Sequence, residues 1–233
     1  MEYALEARSV TKTYKMGEME VRAVDGASLA VPRGDFVSLM GPSGSGKTTL
    51  LNLLGCVDRP SGGDIFIDGS PVSRMSDAEL DRTRLLRIGF VFQRVNLIPI
   101  LTALENVELP MEMAGMGSAE RTRRALELLD SVGLSNRAGH KPSQLSAGEQ
   151  QRVGIARAMA NRPSVILADE PTGNLDSASA ASVMSLLSEL NNRSAQTLVI
   201  VTHDPEVGDA AKRKVVIRDG KIFSAERAGG AVD

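Results

Sequence analysis

The sequence lacks the features that mark a secreted, membrane-spanning or nucleic-acid-binding chain. Its single cysteine, Cys56, excludes an intramolecular disulfide and indicates a reducing compartment. The N-terminus, MEYALEARSV, does not have the charged and then apolar pattern of a signal peptide. No apolar run approaches the roughly 18 residues of a membrane-spanning helix. The formal net charge is −2, so we expect no nucleic-acid partner, and we expect that this chain does not cross a membrane by itself.

The sequence does contain enough apolar material for one sizeable core. Its 233 residues are 42% hydrophobic and 24% charged, close to the average for globular proteins. Apolar runs at Phe36–Met40, Val165–Ala168 and Leu198–Thr202 predict buried parallel strands. Helical patterns alternate with these runs, which predicts an α/β fold around a mostly parallel sheet. Cys56 follows the apolar helical sequence LNLLG and is expected to be a buried thiol.

Antiparallel strands are expected outside this parallel core. The segment from Tyr3 to about Val31 alternates apolar and polar residues, which predicts short antiparallel strands with a loop at about 16–20. The pair Asp68-Gly69 is a good hairpin turn within 62–72, and residues 218–223 repeat the pattern.

Amphipathic stripes predict the helices and the domain organisation. One stripe is formed by Val183, Leu186, Leu187 and Leu190, and another by Leu126, Leu129 and Val132 before a stop at Gly133. Residues from about 95 to 160 carry helical patterns with no strand among them. We therefore expect a single domain over 1–233, with its core at about 1–93 and 161–224, a helical subdomain at about 94–160 and a flexible tail at 225–233.

The segment GPSGSGKTT, residues 41–49, predicts a phosphate-binding loop between a strand and a helix. Its glycines let backbone N–H groups converge on phosphate oxygens, and the helix N-terminus adds partial positive charge. Lys47 would reach the β- and γ-phosphates and support catalysis, and the Thr48 hydroxyl would be a Mg²⁺ ligand. The alternative, a Gly/Ser-rich surface turn, does not explain the strand and helix on either side. The predicted nucleotide-binding residues here are Gly41, Pro42, Ser43, Gly44, Ser45, Gly46, Lys47, Thr48 and Thr49.

Two adjacent acids follow the strand VILADE at its carboxyl end, which faces the ligand crevice in parallel sheets. Asp169 is expected to hold Mg²⁺, and Glu170 to polarise the attacking water as a general base. The alternative is that the two acids merely lie at a solvated strand end. The presence of a phosphate-binding loop in the same chain disfavours this alternative.

The segment Ser146-Ala147-Gly148-Glu149 predicts a capping box that opens a helix over Gln150–Ala160, terminated at 161–163. Capping does not require Gly148, because glycine is a poor helix former. A glycine there would let a phosphate approach the helix N-terminus, and a second anion site is meaningful if it serves the nucleotide of a second subunit.

Taken in order, these motifs resemble an ABC ATPase cassette, the motor domain of ATP-driven transporters. The order is Gly41–Thr49, Gln93 in VFQ, Leu145–Glu149, Asp169-Glu170, Asn174–Asp176 and His203 in THD. The resemblance covers about residues 3–224. The chain departs from the usual LSGGQ motif, with Ala147 in place of the first glycine and Glu149 in place of glutamine.

The resemblance implies a P-loop NTPase (RecA-like) core with an N-terminal antiparallel β subdomain and an inserted α-helical subdomain. It implies ATP and Mg²⁺ as cofactors and a head-to-tail dimer of two copies around two ATP molecules. Each ATP would lie between one phosphate-binding loop and the Ser146, Gly148 and Glu149 region of the partner. Asn174–Asp176 would line the dimer interface.

Three further roles are implied by the resemblance alone. His203 would be a catalytic sensor that contacts the γ-phosphate and orients water near Glu170. Gln93 would touch Mg²⁺ or the attacking water and connect the core to the helical subdomain. Tyr14 would stack on adenine. The alternative is that Tyr14 is an aromatic residue on a surface strand with no role in binding.

The resemblance also implies a membrane partner. In the family, the neighbourhood of residues 94–110 forms a groove that receives a helix of a separate integral membrane permease, which would hold this chain at the cytoplasmic face of the inner membrane. Segments such as IGFVFQRVNLIPILTALENVELPM are most similar to the lipoprotein-releasing, macrolide-efflux and cell-division group. An importer ATPase, or a single-cassette ATPase of iron–sulfur cluster assembly, remains an alternative. A GTPase or kinase is disfavoured by the Leu145–Glu149 motif.

Overall fold

A computed structural model describes residues 2–17 and 19–227 of the chain. Within that part, ten strands and seven α-helices alternate, and short 3₁₀ turns lie at Val72–Arg74, Ser135–Arg137 and Pro142–Gln144. The strands are β1 (Tyr3–Met16), β2 (Met19–Pro32), β3 (Phe36–Met40), β4 (Gly62–Ile67), β5 (Ser70–Pro71), β6 (Ile88–Val91), β7 (Val165–Asp169), β8 (Leu198–Thr202), β9 (Arg213–Arg218) and β10 (Lys221–Arg227). The helices are α1 (Lys47–Leu54), α2 (Asp77–Arg87), α3 (Ala103–Met113), α4 (Ser118–Ser131), α5 (Ala147–Ala158), α6 (Ser177–Ser194) and α7 (Pro205–Asp209).

The strands form two sheets. A six-stranded sheet has the order β10-β9-β3-β8-β7-β6, and all its pairings are parallel except the β9–β10 hairpin. A four-stranded antiparallel sheet has the order β2-β1-β4-β5. Both the predicted α/β class with a mostly parallel sheet and the predicted N-terminal antiparallel part are confirmed.

Side chains that alternate along the parallel strands supply two separate cores. Val37, Leu39 and Leu167 face a core shared with α1 and the antiparallel sheet. Phe36 and Ile166, on the opposite face, belong to a core shared with α3, α4, α5 and α6. Because both faces of the sheet are covered there, its central strands β3, β7 and β8 are apolar at nearly every position.

Several local expectations need correction. The first two strands are 14 residues each rather than short, because irregularities in their register, including one between Ala7 and Val10, interrupt the alternation without ending the pairing. The helix after Ser146 begins at Ala147 rather than Gln150 and ends at Ala158. Leu126 is exposed, and α4 is buried instead through Ala125, Leu128 and Leu129. The strand β10 extends through residue 227, into the segment predicted as a tail, and the rest of that segment lies outside the described residues.

The sequence patterns did not identify two elements, α2 and β6. Only Leu80 of α2 is buried, so this helix has almost no apolar stripe. Between β6 and β7 the described chain contains α3, α4 and α5 and no strand. Within residues 2–17 and 19–227, no helix combines the length and apolar character needed for a bilayer span.

Candidate functional site

The loop between β3 and α1 is held by backbone contacts from distant parts of the chain. Gly46 has φ of 99°, and a Cβ added there would lie 2.3 Å from the Ala23 carbonyl oxygen, so only glycine fits. The N–H of Gly220, in the β9–β10 turn, donates to the Ser45 carbonyl at 3.0 Å. The loop is therefore fixed by β2 on one side and by the last hairpin on the other.

Lys47 is the first residue of α1, and its side chain is fixed within this loop. It is buried, and its Nζ donates to the carbonyl oxygens of Gly41 and Pro42, each at 2.8 Å. An ammonium group has three N–H donors, so one remains for a ligand. Because α1 presents its unpaired N–H groups at the same place, the loop is suited to bind an anion.

A cleft of about 550 Å³ opens above this loop. The cleft brings predicted phosphate-binding residues together with both residues predicted for water activation, Glu170 and His203. It is lined by Ala23, Ser43, Gly44, Gly46, Lys47, Thr48, Thr49, Glu170 and His203.

Glu170 and His203 lie at the carboxyl ends of β7 and β8 and contact each other. His203 Nδ1 is 2.7 Å from Glu170 Oε1. Because a carboxylate can only accept, Nδ1 carries the proton of this bond. Glu170 has φ of 44°, in the left-handed region, and its N–H donates to the Val201 carbonyl at 2.9 Å. The other oxygen, Oε2, has no hydrogen-bond partner in residues 2–17 and 19–227, so it is available to accept a proton.

Asp169 ends β7 and is half-buried below the cleft. Burial raises its carboxyl pKa, the Glu170 charge raises it further, and the Thr48 hydroxyl and the Lys47 ammonium oppose these effects. The described residues contain no cluster of three or more His, Cys, Asp or Glu side chains suited to a metal ion. Asp169 and Thr48 instead offer a small oxygen donor set, which fits Mg²⁺ because this ion binds through one or two protein oxygens together with phosphates and water.

Several of the predicted residues lie outside the lining of the cleft, and Gln93 and Tyr14 are among them. Gln93 is exposed at the end of β6, and a Cβ added to Gly173 would be 2.7 Å from its Nε2. Its carbonyl accepts from Asn174 Nδ2 at 3.0 Å, which ties this loop to the segment after Glu170. Tyr14 is 38% exposed on β1 and belongs to a cluster with Lys12 and Asp58.

The Tyr14 cluster has defined contacts. The Tyr14 hydroxyl donates to Asp58 Oδ2 at 2.9 Å, and Lys12 Nζ donates to Asp58 Oδ1 at 2.6 Å and lies 5.0 Å from the Tyr14 ring centre. Burial raises the pKa of the Tyr14 hydroxyl, and the bond to Asp58 raises it further. Tyr14 is thereby held in one orientation with part of its ring exposed.

The predicted capping box at the start of α5 is present, but it does not line the cleft of its own chain. The Ser146 N–H donates to Glu149 Oε2 at 2.8 Å, and the Glu149 N–H donates to Ser146 Oγ at 3.2 Å. Gly148 has a reason within the chain that the sequence did not reveal: a Cβ there would lie 2.9 Å from Ser179 Oγ on α6. The glycine therefore permits close packing of α5 on α6, and phosphate approach is not its only explanation.

The segment Asn174–Asp176 leads into α6. Asp176 is the N-cap, and its carboxylate accepts from the Ser179 N–H at 3.0 Å and from the Ser179 hydroxyl at 2.7 Å. A second cavity of about 520 Å³ borders this segment and also reaches Glu170 and His203. This cavity therefore extends from the pair of Glu170 and His203 to the segment that leads into α6.

Residues important for these arrangements escaped the sequence analysis. Ala23 contributes a backbone carbonyl, which has no sequence signature. Asp58 lies 44 residues from Tyr14, and Arg137, described below, lies in an irregular turn 12 residues before Glu149. Only pairing across the fold reveals them.

Comparisons with known proteins give a consistent result. A family described as ABC transporter matches residues 24–173. An ABC transporter ATP-binding protein of Thermotoga maritima is 53% identical over 229 residues, 98% of this chain and 97% of that protein. The macrolide export ATP-binding/permease protein MacB of Hyphomonas neptunium is 50% identical over 220 residues, and the match spans 94% of this chain but 34% of that longer protein. Among solved structures, the dimeric post-hydrolysis state of the ATP-binding cassette MJ0796 of Methanocaldococcus jannaschii, bound to ADP and Pi, is 48% identical with a TM-score of 0.89, covering 97% of this chain and 100% of that one.

Proposed function

This chain belongs to the ABC transporter ATP-binding cassette family and hydrolyses ATP, and we propose that it closes head to tail with a second copy around two ATP molecules to drive a separate membrane permease. The observation that carries the proposal is the shared cleft of Lys47, Thr48, Glu170 and His203. It places anion-binding groups opposite a carboxylate with a free oxygen.

The cleft residues have separate tasks in this proposal. The 41–49 loop and the N-terminus of α1 bind the phosphates, and the remaining N–H of Lys47 reaches the γ-phosphate. Glu170 Oε2 accepts a proton from the attacking water, while His203 holds Oε1 and fixes the direction of the carboxylate. Tyr14 stacks on adenine through its exposed face.

Thr48 and Asp169 would hold Mg²⁺, and Gln93 would join them from the β6 end. Bound there, the ion would neutralise negative charge on the phosphates. Thr48 and Lys47 counteract part of the upward shift in the pKa of Asp169. These two groups therefore favour the ionised carboxylate, against burial and the Glu170 charge.

The second copy completes the site through Ser146, Gly148 and Glu149. These residues lie at the N-terminus of α5, outside the cleft of their own chain, where a helix end can bind a phosphate from another molecule. The MJ0796 relative was solved as a dimer, which supports this arrangement. Asn174–Asp176, beside the cavity that reaches Glu170 and His203, would face the partner.

A groove on the opposite side of the helical segment would receive the permease. A cavity of about 280 Å³ is lined by apolar groups that include Phe92, Leu109 and Met113, and Met113 and Ile100 are 67% and 75% exposed. The buried Asn106 fixes the neighbouring loop before α3, because its amide donates to the carbonyls of Ile98, Leu101 and Thr102.

The type of transporter is supported by the MacB relative, whose name joins an ATP-binding part and a permease in one protein. We therefore favour the lipoprotein-release or macrolide-efflux group, with the chain at the cytoplasmic face of the membrane. Residues 94–160 would form a helical subdomain that carries α5 and moves with nucleotide occupancy.

The decisive experiment is the Glu170→Gln variant. Gln retains the shape of the side chain but cannot take a proton from water, so an ATP-bound dimer should accumulate with little turnover. Size-exclusion chromatography that shows only monomer with ATP would contradict the dimer. Mass spectrometry of tagged Glu170→Gln extracted from membranes with ATP tests the partner. A membrane permease supports the transporter type, whereas a soluble iron–sulfur scaffold or an importer permease replaces it.

A further inference from the structure

The Glu149 carboxylate is an unfavourable group beside a proposed phosphate site. Its Oε2 accepts the Ser146 N–H at 2.8 Å. This bond, assisted by the Ser146 hydroxyl and by Arg137, lowers the pKa of Glu149, so the side chain is ionised at neutral pH. An ionised carboxylate at the N-terminus of α5 repels a γ-phosphate that approaches the same helix end. A phosphate site here therefore requires a nearby positive group.

Arg137 provides that group from the 3₁₀ turn Ser135–Arg137. Its Nε lies 3.2 Å from Glu149 Oε1, the oxygen that the capping box does not use. The two side chains are 41% and 19% exposed, so this pair is more shielded from water than Arg123–Glu127 on α4, whose side chains are 65% and 56% exposed.

The turn that carries Arg137 is fixed independently of Glu149. The N–H of Arg137 donates to the Leu134 carbonyl at 2.9 Å. The following residues are tied to the start of α3, where the N–H groups of Ala103 and Leu104 donate to the carbonyls of His140 and Ala138 at 2.8 and 2.9 Å. The backbone of Arg137 is thus held in place, which lowers the entropy cost of its ion pair.

Two other capping boxes in the same chain show what Arg137 changes. In α2 the Ser76 hydroxyl donates to Glu79 at 2.7 Å, and in α3 the Thr102 hydroxyl donates to Glu105 at 2.8 Å. Neither of those glutamates has an arginine partner among the described residues. At α5 the Ser146 hydroxyl accepts the Glu149 N–H at 3.2 Å, and although it helps to lower the pKa of Glu149, the described chain has no short bond from it to the carboxylate like those at α2 and α3.

We propose that Arg137 is a positioning residue for the second half of the ATP site. By neutralising Glu149 and engaging Oε1, it leaves the Ser146 hydroxyl free to donate to the γ-phosphate bound on the other copy. The N–H groups of Ala147 and Gly148, at the first positions of α5, lie beside this hydroxyl and have no intrahelical acceptor. This inference rests on the head-to-tail dimer proposed above.

The test is a double-mutant cycle in the Glu170→Gln background, with dimerisation measured by sedimentation velocity over a series of ATP concentrations. Arg137→Gln should raise the ATP concentration for half-maximal dimerisation by about tenfold, because Glu149 is then uncompensated and free to bind the Ser146 hydroxyl. Combined with Glu149→Gln, the same change should shift it by less than about twofold, since no charge remains to be neutralised. Arg123→Gln, at an exposed pair on α4, is the matched control and should cause no shift.

The outcomes separate this inference from the dimer on which it rests. Equal shifts by Arg137→Gln in both backgrounds would show a merely structural role, and no shift at all would remove Arg137 from the site. If the Glu170→Gln parent binds ATP without dimerising, both the dimer and this inference are overturned. Thermal unfolding and the ATP affinity of the monomer show whether Arg137→Gln has a folding defect. In that case Arg137→Lys is the milder variant, because it keeps the charge without the planar guanidinium, and it should give an intermediate shift.

Discussion

At the scale of single residues, the side chains predicted to act on the nucleotide are fixed by partners within the protein. Lys47 is held by two carbonyl oxygens and Glu170 by His203, while Tyr14 is held by Asp58. A nucleotide bound as proposed would therefore meet groups with little conformational entropy left to lose. That Lys47, Glu170 and His203 share one cleft was predictable from the sequence, because these residues occur in motifs. Their supports were not, because Asp58 and Ala23 belong to other elements and carry no pattern of their own.

The first prediction concerns Lys47. Lys47→Ala removes the buried ammonium that the Gly41 and Pro42 carbonyls direct, so ATP binding at micromolar concentrations should be lost. Isothermal titration calorimetry measures this directly. Lys212→Ala, at an exposed lysine, is the control that should bind as the parent does. Unchanged affinity in Lys47→Ala would disprove the assigned phosphate loop.

The second prediction separates the ring of Tyr14 from its hydroxyl. Tyr14→Ala should weaken ATP binding about tenfold, since base stacking on an aromatic side chain contributes on the order of 1–3 kcal/mol. Tyr14→Phe keeps the ring and loses only the bond to Asp58, so its affinity should remain within about threefold of the parent. If Phe is as harmful as Ala, orientation by Asp58 matters more than stacking.

At the scale of elements, three helices begin with the same device. The N-cap residues Ser76, Thr102 and Ser146 each form a capping box with a glutamate three residues later. Only the third was identified from the sequence, because it lies in a longer motif. The capping box of α2 was not predicted, because this helix buries few side chains and its sequence therefore has no apolar periodicity. Leu126 shows the opposite error, in which leucine spacing suggested a buried face that the fold places outside.

Lowering the pH should destabilise the N-termini of these helices together. Bonds from Ser76 and Thr102 lower the pKa of Glu79 and Glu105 below the ordinary value of 4.5. A depressed folded pKa gives stability that is present above 4.5 and is lost as the pH falls through the lower folded value. Urea midpoints should therefore be nearly constant from about pH 6 to 5 and fall below about pH 4.5.

A substitution of Glu105 tests the contribution of a single helix N-terminus, that of α3, to this pH dependence. Glu105→Gln keeps an acceptor for the Thr102 N–H but cannot titrate, so its urea midpoint should be lower at neutral pH and should depend less on acid than the parent's. An unchanged slope would show that the helix starts are not the groups that respond to acid.

At the scale of the whole molecule, the nucleotide cleft and the surface proposed for dimerisation are continuous. Glu170 and His203 border both the nucleotide cleft and the second cavity beside Asn174–Asp176. The overall architecture was predictable, because alternating strands and helices specify a parallel sheet. The packing of α5 on α6 through Gly148 and Ser179 was not, since it joins segments whose facing sides only the fold determines.

If two copies close around ATP, the stability of the protein must depend on its concentration. For Glu170→Gln with ATP, the melting temperature should rise by roughly 2 °C for each tenfold increase in protein, as mass action requires for a dimer. The same protein without nucleotide should melt at a constant temperature. A constant melting temperature with saturating ATP would mean that nucleotide binds to a single copy only.

The contacts that fix the 41–49 loop have a consequence for folding during biosynthesis. Gly220 donates to Ser45, its own carbonyl accepts from Asp25, and the Ala23 carbonyl packs against Gly46. Although residues 41–49 leave the ribosome early, the turn that closes over them is translated more than 170 residues later, as the numbering shows. A nascent chain thus carries the complete motif long before it has the native loop, and ATP can act as a folding ligand only once the last hairpin has emerged.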